Sequence, residues 1–456
     1  MPHFARQTGK KLEKRQDFCL NAARLRPQTS HPARRASPMK PIPSNLEKLA
    51  RRRRVLLLQG PVGPFFRHLA AWLEQTQSQV FKINFNGGDR AYYPPDPSGR
   101  VHDYGGTPEA FPEYLDTFVQ THKIDAVACF GDHRPYHRAA KQVCARRKIR
   151  FWAFEEGYFR PHFITLEESG VNACSPLPRE GGFFLKNYPK LALQKYTAPA
   201  PVPDGFWPRA KRAMWYYAAA NLTCRRYPGY RHHRHINIGH YIALWVKSGI
   251  KRAGYALADR RFARQVRSGR FGRFFIVPLQ VFNDSQVRVH SDYDVRGFLL
   301  HVLASFAEHA PENTTLIVKH HPMDRGFTDY RRDIRAFLAT RPELAGRVFY
   351  VHDVPLPVFL RHGAGMVTLN STSGLSALIH NMPVKLLGRA HYDIPGLTSQ
   401  QKLADFWHAP AKPDAKLFNA YRMYHINITQ INGSFYSRVN LPPHPQKTRR
   451  AGRKHK

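Results

Sequence analysis

The sequence predicts an α/β chain with two Rossmann-like domains facing one another across a cleft. Three observations predict it. Short apolar runs alternate with amphipathic helical stretches at βαβ spacing. The alternation occurs twice, in two halves separated by a Pro/Gly-rich stretch and then a basic aromatic one. Nearly every apolar run ends in a polar cluster rich in Gly, Pro or His, as strands of a parallel sheet do where ligands bind. A chain of 456 residues with 42% hydrophobic content is long enough for two cores.

Taken in order, residues 1–50 are Pro- and Arg-rich without apolar periodicity and read as a disordered basic arm. Val55–Gln59 is the first strand, ended by Gly60-Pro61, and Phe65–Gln75 an amphipathic helix. Val80–Asn84 is the second strand, punctuated by Asn86-Gly87-Gly88-Asp89. A helix over 111–122 leads to strand Ile124–Phe130, and a helix around 136–147 leads to strand Arg150–Phe154. Residues 175–208 read as a linker or long loop.

The second half repeats the scheme. Strand Phe274–Leu279 is followed by a helix over 292–310, then strands Thr315–Lys319 and Arg347–His352. Gly365–Leu369 leads into a helix ending at Asn381, and Pro383–Leu387 closes the set. The predicted domains are 51–205 and 271–440, joined by a basic aromatic helical segment over 206–270, with a basic tail over 441–456. This is the GT-B-like plan, with no internal repeat.

Charge is the outlying property. The formal net charge is +39, and the two ends together supply +18 of it. Residues 209–273 add 16 Lys/Arg against Asp259 alone, interleaved with Trp215, Tyr216, Tyr217, Tyr230, Tyr241, Trp245 and Tyr255. Cations among Trp and Tyr suit the headgroup layer of an anionic membrane. RNA binding and a solvated helical face are the rival readings; no nucleic-acid partner is expected. Five cysteines without CxxC spacing fit a reducing cytosol and give no expectation of a metal. No run of 18 apolar residues and no secretory signal core is present.

Several clusters could do chemistry. Glu155-Glu156-Gly157, with Asp132 from the preceding strand end, is the candidate for covalent or acid–base catalysis; a salt-bridge network with Arg134 and Arg160 is the structural alternative. Lys319-His320-His321-Pro322 could hold a nucleotide monophosphate, one imidazole protonating the leaving phosphate. Ser371, Thr372, Ser373 and Gly374 open a helix, where hydroxyls and N–H groups suit a phosphate or simply cap. Gln59, Asn86, Asp89 and Gln280 are candidate substrate contacts, and Arg134 and Arg160 could pair with a substrate carboxylate. The loop Gly60-Pro-Val-Gly-Pro64 lacks the Lys and Ser/Thr of a P-loop.

The segments LLLQGPVGPFF, KINFNGGD, CFGDHRPYHRAA, FEEGYFRPHFITLEESGVN, VPLQVFNDSQ, VKHHPMD and LNSTSGLSALIHNMPVKLLG resemble, in this order, the capsule polysaccharide biosynthesis and export family of the KpsS/LipB type. They span roughly residues 55–405. The resemblance implies a β-Kdo transferase, cytoplasmic and peripheral at the inner face of the membrane. It would use CMP-Kdo as donor substrate, with no bound cofactor, and a phosphatidylglycerol-type lipid as acceptor. It also implies work beside a capsule export complex with an ABC transporter. By the same resemblance His321 and Pro322, with Lys319, His320 and the Ser371–Gly374 turn, would hold CMP, and Glu155-Glu156-Gly157 would lie at the reacting carbon. Related enzymes with Asp in the acidic motif retain anomeric configuration. This chain departs from the family pattern in having Glu there, His133 where Cys is expected, and His162 where an acidic residue is expected. A non-catalytic adaptor of the export complex is the alternative reading.

Overall fold

A computed structural model describes residues 41–193, 198–203, 205–231 and 238–443. The predicted arm over residues 1–40 and the tail over residues 444–456 lie outside the described residues. Residues 42–443 lie within one compact unit.

Its first sheet has seven strands in the order β12-β6-β5-β4-β1-β2-β3. The parallel core comprises β1 (Arg54–Leu57), β2 (Gln79–Asn84), β3 (Val101–Asp103), β4 (Ala126–Phe130) and β5 (Arg150–Glu156). β6 (Phe163–Glu168) and β12 (Gln430–Asn432) extend it with antiparallel pairings. The second sheet is wholly parallel, in the order β11-β10-β7-β8-β9, built from β7 (Arg273–Pro278), β8 (Thr314–Lys319), β9 (Val348–Val351), β10 (Gly365–Thr368) and β11 (Val384–Leu386). The result is the GT-B-like pair of sheets that the alternation predicts. Strands read as continuous apolar runs are those buried on both faces: Val55, Leu56 and Leu57 are fully buried, as are Phe275, Ile276 and Val277.

Four differences have physical reasons. The predicted arm reaches too far, because α1 (Asn45–Ala50) is a helix with a complete Ser44/Glu47 capping box, and Leu46 and Leu49 are buried against the first sheet. Six residues carry too little periodicity to stand out. The predicted linker contains α6 (Gly181–Ala192), whose Phe184 and Leu191 pack into the second core beside α15 (Ala415–Ile428). Its Gly and Pro residues read as breakers, whereas Gly181-Gly182 begin the helix and Pro189 lies inside it. β6 pairs antiparallel with β5 through a short turn, which the expected parallel alternation does not contain. Finally, the second domain ends before residue 440: β12 and Phe435 join the first core, so the chain returns to where it began.

The basic aromatic segment forms two helices, α7 (Phe206–Leu222) and α8 (Ile238–Arg267). α7 lies across α3 (Gly87–Tyr92), and the Asn86-Gly-Gly-Asp89 motif is the reason it can. A Cβ on Gly87 would sit 1.7 Å from Thr223 Oγ1, and one on Gly88 2.6 Å from the Tyr216 ring. Close approach of two backbones requires both glycines.

Candidate active site

The carboxyl end of β5 carries Glu155 and Glu156. Successive strand residues face opposite sides, so the two carboxylates flank the strand end. Glu155 Oε1 accepts from the Glu156 N–H at 2.9 Å, and Asn172 Nδ2 lies 3.4 Å from Oε2. Burial pushes the Glu155 carboxyl up to about 7, opposed by that N–H bond and by Arg160, and assisted by the like charges of Glu156 and Asp284. Asp284 caps the helix α9 (Ser285–His290), in the second domain. On the other side, Glu156 helps raise the Tyr436 hydroxyl, after burial, and the Arg209 guanidinium lies 4.1 Å from the centre of the Tyr436 ring. The acidic motif therefore feels charge from the second domain through Asp284 and neighbours the returning C-terminal segment through Tyr436.

The end of β8 supplies the opposing wall. His321 Nδ1 accepts the Met323 N–H at 3.1 Å, capping the short turn Pro322–Asp324. The ring is pushed down to about 3, by burial first and then by the charges of Lys319, His320, Arg160 and Arg325. A neutral ring whose Nδ1 accepts must carry its proton on Nε2. His321 thus presents its Nε2–H as a donor. Lys319 is buried, donates to His352 O at 3.2 Å, and is pushed down to about 8 by burial against the pull of Asp353 and Asp259. The decisive link is Arg160. Its charge acts on Glu155 and on His321 alike, so the acidic motif and the His-Pro turn both lie within reach of one guanidinium's field.

With that geometry in place, the comparisons with known proteins bear on it. A family model described as "Capsule polysaccharide biosynthesis protein" matches residues 125–436, which include both walls. The chain belongs to the capsule polysaccharide biosynthesis family. It is 60% identical, over 85% of its length and 93% of the relative's, to the capsule polysaccharide modification protein LipB of Neisseria meningitidis serogroup A. It is 42% identical, over 84% of its length and 97% of the relative's, to the capsule polysaccharide export protein KpsS of Escherichia coli. Among solved structures, the Thermosulfurimonas dismutans KpsC β-Kdo 2,7 transferase matches 81% of this chain and 89% of its own at 16% identity, with a TM-score of 0.39. That superposition is too loose to carry a mechanism across.

Within this capsule-family chain, several sequence-predicted residues are occupied by protein partners. Gln59 Nε2 lies within 3.3 Å of Asp89, Tyr216 and Tyr230 oxygens, and its Oε1 accepts from Arg134 at 2.7 Å. Asn86 Oδ1 accepts the Asp89 N–H at 2.9 Å, and its amide donates to Tyr216 OH at 2.8 Å. Asp89 also accepts from the Phe85 N–H and from Tyr216. This buried network fastens α7 to the first sheet. Gln280 and Asn370 pair through their amides at 3.0 Å, tying the β7 and β10 loops together. Ser371 Oγ accepts the Ser373 N–H at 3.2 Å, the local cap, and Gly374 leaves room for the Tyr392 hydroxyl, to which a Cβ would come within 2.3 Å. Thr372 stands at the N-terminus of that helix without a side-chain cap bond. His320 is buried with Nδ1 2.6 Å from Tyr350 OH, whereas His321 is partly exposed.

Asp132 is buried behind the crevice. Its Oδ2 accepts the Val171 N–H at 3.3 Å and lies 3.7 Å from Lys141 Nζ; its Oδ1 lies 3.1 Å from His133 Nε2. Sequence reasoning missed Tyr436 and Asp284 as neighbours of the acidic motif, and missed His290, whose Nε2 lies 2.8 Å from His133 Nε2. Their positions in the chain carry no signal, because each reaches the site through a different loop.

Proposed function

We propose that this chain is a retaining glycosyltransferase. It moves β-Kdo from CMP-Kdo onto a phosphatidylglycerol-type lipid at the inner membrane face, initiating the oligo-Kdo linker of a capsule glycan for export by an ABC transporter. The observation that carries the reading is the shared action of Arg160 on Glu155 and His321, which supports one site served by the acidic motif and the His-Pro turn.

In the first step the Glu156 carboxylate attacks the anomeric carbon. The bond from that carbon to the phosphate oxygen breaks, and its electron pair leaves with CMP. The His321 Nε2–H and the Lys319 ammonium, with the Ser371–Gly374 turn, meet the charge that develops on the phosphate. In the second step the lipid hydroxyl oxygen attacks the same carbon, its proton passes to Glu155, and Glu156 departs as carboxylate. Glu155 suits this task better than Asp132, because its carboxyl titrates near neutrality and Asp132 is engaged elsewhere. Arg160, which donates to Gly157 O at 3.2 Å through Nε, can turn its terminal nitrogens to the sugar carboxylate.

Membrane attachment is the second part of the proposal. α7 exposes Trp207, Met214, Trp215 and Leu222, at spacings that fall on one side of a helix, among Arg209, Lys211 and Arg212. Among the described residues, no helix is long and apolar enough to cross a membrane.

The test is incubation with CMP-Kdo and a fluorescent phosphatidylglycerol analogue, followed by mass spectrometry. The expected product is the lipid plus one Kdo residue, with release of CMP. Absence of both product and CMP binding would leave a non-catalytic adaptor as the better account.

A further inference from the structure

Behind the crevice, three lone-pair atoms from distant parts of the chain converge. His133 Nε2 follows β4, Cys174 Sγ lies on the turn after β6, and His290 Nε2 ends α9 in the second domain; all three lie within 4.8 Å of one another. The separations are 2.8 Å between the two nitrogens and 3.8 Å from Sγ to His133 Nε2. Two imidazole nitrogens and a thiolate at zinc bond lengths stand about 3.3–3.7 Å apart in a tetrahedron. The Sγ–His133 separation lies close to that range, and the two nitrogens would have to part by roughly half an ångström to reach it.

The hydrogen-bond count points the same way. His133 Nε2 carries one proton at most, yet it faces both His290 Nε2 and Asp132 Oδ1, the latter at 3.1 Å. Asp132 is 2% exposed, and its Oδ1 has no hydrogen-bond donor. With the proton on His133 Nε2 it would have to serve two acceptors, and with the proton on Nδ1 the buried Asp132 Oδ1 receives none from it. A cation at the centre serves all of the lone pairs at once.

We propose that His133, Cys174 and His290, with the Asp132 carboxylate beside them, bind one borderline-soft divalent cation of the zinc class. Mixed nitrogen and sulfur ligands select that class over magnesium or calcium. The nearby cations Lys141 and Arg138 oppose a dication, so the thiolate and the carboxylate are needed as anionic ligands. The ion would join the two domains, since His290 shares its carbonyl with the Arg389 N–H and Asn370 in the second domain. The proposal is independent of the transfer reaction.

The test uses the purified full chain loaded with zinc or cobalt(II) and dialysed. We expect one metal per chain and a thiolate-to-cobalt charge-transfer band. Cys174→Ser should abolish the band, His290→Gln should lower affinity at least tenfold, and Cys224→Ser, an exposed cysteine outside the cluster, should change neither. Zinc should raise the melting temperature of the wild type but not of Cys174→Ser. Substoichiometric metal in folded wild type, or a charge-transfer band that survives Cys174→Ser, would overturn the site.

Discussion

Single residues decide the chemistry. Glu156→Gln removes the proposed nucleophile while leaving shape and charge elsewhere unaltered. Transfer should fall about a thousandfold or more, with CMP affinity, read by calorimetry, within about twofold of wild type. Glu155 gives a pH signature. Its carboxyl titrates at about 7, so as the base for the lipid hydroxyl it should make activity drop with unit slope as pH falls below 7. Glu155→Gln should lower the rate and flatten that limb. The same shift has a stability consequence of known sign. A folded-state value above the ordinary 4.5 means that the native state binds the extra proton between pH 4.5 and 7. Stability should therefore decrease as pH rises across that window, by at most about 1.4 kcal/mol per pH unit, and the Gln variant should lack this dependence.

At the scale of elements, α7 has two tasks on two faces. Its inner face rests on Gly87 and Gly88 and closes the Gln59–Asp89–Tyr216 network. Gly88→Ala gains helix propensity but drives a methyl into the Tyr216 ring, 2.6 Å away. A net loss of about 1–3 kcal/mol is expected, measured by chemical denaturation. The outer face is exposed, Trp215 at 57% and Leu222 at 82%. Changing both to Ser should leave the melting temperature in place and weaken binding to phosphatidylglycerol vesicles at least about tenfold, since each removes an apolar anchor. Equal binding of wild type to neutral vesicles would count against the membrane face. The Asn86-Gly-Gly-Asp89 and Gln280 readings as substrate contacts came from residue type alone. In the fold those groups are hydrogen-bonded to protein partners, and Asp89 also lines a small cleft with Gly60, Arg67 and Lys82.

At the scale of the whole molecule, the C-terminal return couples the halves. Gln430 on β12 accepts the Tyr158 N–H at 3.0 Å, and its amide donates to Thr165 and Thr429. That bond fixes the residue following the acidic motif. Gln430→Ala leaves the buried Tyr158 N–H without a partner, which should cost about 1–3 kcal/mol and reduce transfer through misplacement of Glu155 and Glu156. Differential scanning calorimetry together with the lipid assay distinguishes the two effects. Deleting the tail beyond residue 443 should not produce them, since the coupling lies within β12 and its flanks.

The sequence by itself determined what is local and periodic. The nine predicted strands all form, with ends within two residues, because apolar runs between Gly, Pro and Asn are short-range signals. The clusters at strand ends were legible for the same reason, as was the family, whose motifs are contiguous. Only the tertiary structure decided which of those polar groups face the crevice. His320 and His321 are neighbours in the chain, yet one is buried against Tyr350 and the other is partly exposed. Glu155 and Glu156 are split by the pleat, and Asp132 is drawn away to His133. The convergence of His133, Cys174 and His290 spans 157 residues with no spacing rule. Proximity of that kind arises from how sheets stack and chains return, which no window along the sequence contains.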